Sequence, residues 1–182
     1  RWSVGRASGG GGVGRGVLAC GLGEEAEAGL WSRRGGVGGY GGGGGERPAG
    51  GRSEALEAVL RASDFVVLPT PPAPLDLEAL VETVRRAVRP VGVAHRVLLT
   101  RVDPRSLAEA LEAQTALMEA GVPAFHAFVR AYKAHERAAL EGKPITGFRG
   151  PNAREAEADY RRVAEELLRE LGERALARAE GA

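Results

Sequence analysis

Cysteine is almost absent: Cys20 is the one thiol in 182 residues. A single thiol excludes an internal disulfide framework and a cysteine-built metal cluster. Long apolar runs are missing too. No stretch approaches the ~18–20 apolar residues that a membrane-spanning helix needs, and the first residues lack the apolar core of a secretory signal. These absences predict a cytoplasmic chain without membrane attachment. The chain begins with Arg1 rather than Met, as a fragment would. Lysine is scarce. Lys133 and Lys143 are the only two, so the basic residues are nearly all arginine, the usage expected of a GC-rich gene. Residues 1–63 hold no Lys, Thr or Asn, and the first aspartate is Asp64. Concentrated positive charge is lacking as well. Residues 1–52 carry seven Arg and four Glu, and the rest carries 18 basic against 20 acidic residues. A dedicated nucleic-acid binder would gather its cations on one face.

Glycine is abundant, and mainly at one end. Of 28 glycines, 21 lie in residues 1–51. No apolar period is visible before Arg52. After it, apolar residues recur at strand and helix spacing. The sequence therefore divides into a glycine-rich segment, 1–52, expected to be disordered, and an α/β segment, 53–182, long enough for a core.

Within the glycine run, GGGGVGRG (9–16) has the spacing of a phosphate-binding loop, G-x-x-x-x-G-K-[ST]. Gly9 and Gly14 fit. Arg15 stands where the lysine belongs and Gly16 where the Mg2+-binding hydroxyl belongs. Arginine pairs with phosphate but does not replace a compact ammonium inside a tight loop. In so glycine-rich a tract the spacing also arises easily by chance.

The second segment reads as alternating elements. SEALEAVLRAS (53–63) has helical spacing, with Ser53 as the expected N-cap. DFVVLP (64–69) suits a buried parallel strand, and PTPPAP (69–74) must be a loop, because its prolines remove donors. LDLEALVETVRRAV (75–88) is a helix burying Leu77, Leu80, Val81 and Val84. HRVLLT (95–100) is a second strand. Asp103 is expected to cap a helix with Pro104 at its first position, ending at Gly121. Leu107, Leu111, Leu117 and Met118 form its expected core stripe. PAFHAFV (123–129) reads as a third strand and AYKAHERAALEG (131–142) as a helix. A last helix over about 153–179 should bury Tyr160, Val163, Ala164, Leu167, Leu168 and Leu171. On its wet side Arg161–Glu165, Arg162–Glu166 and Glu165–Arg169 are expected i,i+4 pairs. This order predicts a partial parallel sheet flanked by helices. Residues 1–52 offer no obvious further strand, their longest apolar run being VLAC (17–20).

Four stretches in this order are similar to one known family. They are ERPAGGRSEALEAVLRASDFVVLPTPPAPLDLEAL (46–80), RVLLTRVDPRS (96–106), AGVPAFHAFVRAYKAHERAALEGKPI (120–145) and ADYRRVAEELL (158–168). Together, over about residues 46–170, they resemble the C-terminal two-thirds of the ParA/MinD-type P-loop ATPases, which position plasmids, chromosomes and division-site proteins. The resemblance implies a P-loop NTPase-like α/β fold whose N-terminal strands are here missing or degenerate. It implies ATP and Mg2+ as cofactors. It also implies a homodimer across the nucleotide, and nonspecific DNA and a partition protein as partners.

Carried onto this sequence, Gly11, Gly12, Gly14 and Arg15 take the place of the phosphate loop. Thr100, Asp103 and Arg105 lie on the strand and loop near the nucleotide. Glu46 takes the place of the switch aspartate, one methylene longer, and Gly10 that of the signature lysine. Arg130, Lys133, Arg137, Arg149 and Arg161, with Arg154 and Arg162, match the partition branch's nonspecific DNA surface, or form a solvated face balanced by glutamates. With the P-loop lysine, its hydroxyl neighbour and the switch aspartate all replaced, efficient ATP hydrolysis is not expected.

Other readings stand beside this one. The chain reads alternatively as a non-catalytic α/β interaction module with a glycine-rich tail. RRGG (33–36) suggests an RNA-binding tail, opposed by four nearby glutamates. Residues 1–45 use only ten residue types, as a GC-rich gene read out of frame would. His95, His126 and His135 have no acidic or cysteine neighbour at ligand spacing and read as structural or surface histidines, so no metal site is expected. The P-x-x-P in PTPPAP fits an SH3-like groove, but its place after a buried strand favours a structural loop.

Overall fold

The structure is a computed structural model that describes residues 16–19 and 50–180. Its sheet has three parallel strands in the order β1 (Gly16–Ala19), β2 (Ser63–Thr70) and β3 (His95–Leu99). Helix α1 (Gly50–Arg61) precedes β2. Helix α2 (Pro74–Thr83), a π-helical stretch (Val84–Val88) and the single turn α3 (Arg89–Val91) form one continuous connection to β3. Helix α4 (Leu107–Glu119) follows β3, then α5 (Lys133–Leu140) and the long α6 (Ala153–Glu180).

The glycine-rich segment does supply a strand. GVLA (16–19) pairs with β2, with Val17 opposite Phe65 and Ala19 opposite Val67. These residues include most of the one apolar run in that region, and a neighbouring strand satisfies backbone groups that glycine-rich sequence alone would leave to water.

Strand β2 runs further than its prolines suggest, through Pro69 and Thr70. In a parallel ladder alternate residues bond to opposite neighbours. Val66 N–H donates to Ala94 O at 2.8 Å, and Thr70 O accepts from Thr100 N–H at 2.8 Å. Even-numbered residues therefore face β3. Pro69 faces the other side, where the pairing with β1 stops at Val67. Its missing N–H costs no ladder bond there.

The expected third strand is replaced by something more irregular. Residues 123–130 run parallel to β3 through two isolated bridges, Val97 with Ala124 and Val102 with Arg130. Between them Phe125 and Val129 still donate their N–H groups to Val97 O (2.8 Å) and Leu99 O (2.9 Å), and side chains hold other backbone groups. The Glu166 carboxylate accepts from the N–H groups of His126 (3.0 Å) and Ala127 (3.0 Å). Gln114 Nε2 donates to the carbonyls of Phe125 (2.8 Å) and His126 (3.1 Å). A carboxylate and an amide thus supply partners that a regular ladder would otherwise provide.

Both faces of the sheet are covered. On one, Val66, Leu68, Val97 and Leu99 pack with Leu60 of α1, Leu80 of α2, Val84 and Val88, and Ala110, Ala113 and Leu117 of α4. On the other, Phe65, Val67, Leu98, Phe125 and Val129 pack against Val163 of α6. Phe65 and Phe125 meet edge-to-face at 6.4 Å. A third cluster joins α5 to the start of α6 through Ala134, Ala138, Phe148, Ala153 and Ala156.

Several local expectations change. Ser53 lies inside α1 and not at its cap. Helix α4 starts at Leu107, with Ser106 at the cap position, so Asp103 turns the preceding loop instead. The buried stripe of α4 is Ala110, Ala113 and Leu117, while Leu107, Leu111 and Met118 are exposed. Small residues face inward there. On α6, Ala164 and Leu168 are exposed, and the buried side turns toward Ala156, Asp159 and Val163. The helix from Leu75 continues past Val88 because the widened π turn accommodates Pro90, whose ring would meet a carbonyl in a regular helix. It ends at Gly92, at φ 71°.

Candidate functional site

The strands are parallel, so β2, β3 and segment 123–130 all end on one edge of the sheet. In α/β proteins ligands gather outside that edge, where loops diverge. Three chain ends meet there. Thr70 closes β2 with its side chain buried and its Oγ1 donating to Pro71 O at 3.2 Å. Thr100 directly follows β3 and donates its N–H to Thr70 O. Arg130 ends the third segment, opposite Val102.

Arg101, next to Thr100, is exposed and holds a left-handed backbone at φ 55°. Such a conformation is uncommon for a residue with a side chain. Two positions on, Asp103 accepts from Arg105 N–H at 2.9 Å, and its carboxylate pairs with the guanidinium at 3.1 Å. Those contacts hold the Asp103 carboxyl below the ordinary carboxylate range, the side-chain hydrogen bond from Arg105 contributing most. Asp103 and Arg105 therefore partner each other across a tight turn.

Beneath this edge lies a buried ion pair. The Asp159 side chain is 0% exposed on α6. It accepts from Arg130 N–H at 3.0 Å and from the Arg130 guanidinium at 2.7 and 3.0 Å, and it also pairs with Arg162. Arg130 lies 5.0 Å over the Tyr132 ring, and its carbonyl is 3.1 Å from His135 Nε2. His135 meets Tyr160 edge-to-face at 5.6 Å. Burial, helped by the Asp159 charge, pushes the Tyr160 hydroxyl up to about 12. Further along α6, Arg96 of β3 pairs with Glu170 at 2.6 Å and with Glu166 at 3.6 Å. Burial raises the Glu166 pKa. Hydrogen bonds from Ala127 and His126 outweigh that effect and leave it lowered.

Asp159, Glu166 and Glu170 are spaced by seven and four residues and lie beside the apolar side of α6. Sequence reading missed this fastening. Its signal was present as carboxylates directly preceding Tyr160, Leu167 and Leu171. The i,i+4 pairs form differently from expectation: Arg161 pairs with Glu157 at 2.5 Å, Arg162 with Asp159, and Glu166 turns to segment 123–130. His126, expected to lack an acidic partner, has Glu166 3.1 Å from its Nδ1.

The residues assigned by resemblance divide accordingly. Thr100, Asp103 and Arg105 follow one another on the strand-end loop. Arg130 is the cation held by Asp159. Lys133 and Arg161 pair with Glu136 and Glu157 on their own helices, and Arg149 donates to Thr146 and Phe148 carbonyls. Arg137 is exposed on α5. Gly11, Gly12, Gly14, Arg15 and Glu46 lie outside the described residues.

The element next to the glycine run tests the fit of the family's cofactor. A P-loop places phosphate at the N-terminus of the helix that succeeds it. Here the residues from Gly16 form a strand. The Asp103 carboxylate is engaged by Arg105. Among the described residues, no group of three or more His, Cys, Asp or Glu converges to hold a metal. The residues aligned with the phosphate loop, 10–15, and Glu46 lie outside the described residues. No helix among the described residues is long and apolar enough to cross a membrane.

Fold and site together define an α/β protein with a parallel sheet covered on both faces and loops converging at its carboxyl edge. No family model matches the chain. Over 118 residues it is 73% identical to the maintenance of carboxysome distribution protein A of Gloeobacter kilaueensis, a match covering 65% of this chain and 55% of that protein. The chain thus spans about half the length of this curated relative.

Proposed function

We propose that this chain acts in the cytoplasm as a ParA/MinD-type positioning protein that distributes carboxysomes, with a nucleotide half that is not competent in the sequence as it stands. The single observation that carries the proposal is the 73% identity over 118 residues to a protein named for carboxysome distribution. The parallel α/β core and the four family-like stretches support it.

The phosphate-handling positions argue for the second clause. Arg15 and Gly16 replace the lysine and the hydroxyl, and no aspartate precedes Asp64. On this reading, nonspecific DNA, a partition-type partner and a second copy remain the interactions to test, with Arg137 and Arg149 as the exposed cations to examine first.

The experiment is removal of the gene from its source cell, with carboxysomes followed by a fluorescent shell or cargo protein. Loss of regular spacing, restored by the full chain, supports the role. Unchanged spacing refutes it. The replaced phosphate-handling residues also favour a second reading, a non-catalytic α/β interaction module, for which nucleotide-independent rescue is the mark.

A further inference from the structure

Segment 123–130 is the outermost strand-like part of the sheet, and among the described residues nothing pairs beyond it. A strand edge presents unpaired N–H and C=O groups and is a template for another chain. Here groups that β3 leaves unused are taken by side chains. Arg96 donates to Ala124 O at 3.2 Å, Gln114 serves the carbonyls of Phe125 and His126, and Glu166 accepts from the N–H groups of His126 and Ala127. The cover is incomplete. Ala127 O and both backbone groups of Phe128 have no hydrogen-bond partner among the described residues. An open cleft of about 510 Å³ lies against them, between Leu107 of α4 and Arg162 and Arg169 of α6.

The helix beside the edge carries the second observation. Leu107, Leu111, Gln114 and Met118 follow at i, i+4, i+7 and i+11, along one side of α4. Gln114 reaches the edge from that side, so the three apolar residues flank it. Leu111 is 59% and Met118 72% exposed. The edge itself, AFHAFV (124–129), holds no Asp, Glu, Lys or Arg, and phenylalanine and valine favour strands. A second copy docked about a two-fold axis sets the two edges antiparallel. No like charges then face each other along the strands, and the apolar sides of the two α4 helices close over one face of the joined sheet. On the other face the rim of α6 carries Glu165 as well as Arg162 and Arg169, so carboxylate and guanidinium meet across the axis. A strongly charged partner finds no matching field on so mixed a rim.

We propose that the outer edge at residues 124–128 is a docking surface for the same edge of a second copy of this chain, and that Gln114 and Glu166 hold it closed. Docking exchanges their hydrogen bonds for strand-to-strand ones and covers Leu111 and Met118. This contact is distinct from a dimer across a nucleotide, because it uses the side margin of the sheet and not its carboxyl edge. It stands independently of the positioning role.

The test uses the full chain without nucleotide, in sedimentation velocity over a range of concentrations. Gln114→Leu/Glu166→Leu removes both caps. It should self-associate roughly tenfold more tightly than the parent, or more, as freed backbone groups find strand partners. New protection from amide hydrogen exchange should appear at residues 124–128. Adding His126→Lys to that variant sets like charges across the axis and should reverse the gain, and so should adding Leu111→Lys. Both positions are exposed, so circular dichroism should match that of the uncapped variant, which separates docking from clumping of a misfolded chain. An uncapped variant that associates no more than the parent overturns the inference and leaves the edge to a strand of another protein. Association that protects other residues, or that either added substitution fails to reduce, overturns it as well.

Discussion

Arg130 binds Asp159 through both its backbone N–H and its guanidinium, and the Asp159 side chain has no exposure to solvent. The pair joins the end of segment 123–130 to α6, on the face of the sheet opposite α2 and α4. It fixes where the third chain end lies beside Thr70 and Thr100. Loss of Asp159 leaves Arg130 half-buried without its carboxylate. Removing one partner of a buried pair costs about 3–5 kcal/mol. Asp159→Ala should lose stability on that scale in urea unfolding, and a change under ~1 kcal/mol would show the pair to be incidental.

Glu166 ties the irregular part of segment 123–130 to α6. Burial acts to raise its carboxyl, but the N–H groups of Ala127 and His126 and the His126 side chain hold it below the ordinary value of 4.5. A depressed carboxylate contributes stability above its unfolded pKa and loses it as pH falls through the folded pKa. The contribution of Glu166 should therefore be constant near neutrality and decline below about pH 4.5. Urea midpoints measured from neutral pH into the acid range should fall less steeply in Glu166→Gln than in the parent. An identical acid slope would mean that this carboxylate does not hold the segment.

Phe125 sits between the two arms that hold that segment, is 1% exposed, and packs edge-to-face on Phe65. Phe125→Ala removes that packing and should cost about 3–5 kcal/mol. Gly142 offers a contrast. Its φ is 64° and a Cβ there meets nothing within 4 Å, so Gly142→Ala carries only the left-handed backbone penalty of about 1–2 kcal/mol. Thermal unfolding of the two variants should show the larger drop for Phe125→Ala.

Much of the fold was legible in the sequence, and the failures have physical causes. The apolar runs at 65–68 and 97–99 revealed β2 and β3 because strands buried on both faces read as continuous apolar stretches. Helix α4 misled because its inward residues are largely alanines, so period alone favoured Leu111 and Met118. Segment 123–130 misled because Glu166 and Gln114, distant in sequence, take over part of its hydrogen bonding. Strand β1 was hidden by the glycines around GVLA. At the candidate site, the resemblance put Thr100, Asp103 and Arg105 on a strand end and the loop after it, while local capping signals wrongly started the helix at Pro104 instead of Leu107. The Arg130–Asp159 pair could not, because 29 residues separate its members and only the tertiary fold joins them.

The proposed combination, the α/β frame of a positioning protein without a working nucleotide half, meets its most direct test in one experiment. Purified full-length chain is incubated with millimolar MgATP, and melting temperature and phosphate release are followed in the same samples. No nucleotide-dependent shift is expected, with phosphate release at background. A saturable MgATP stabilisation with turnover, both abolished by Arg15→Ala, would contradict the proposal and would make GGGGVGRG a phosphate site after all.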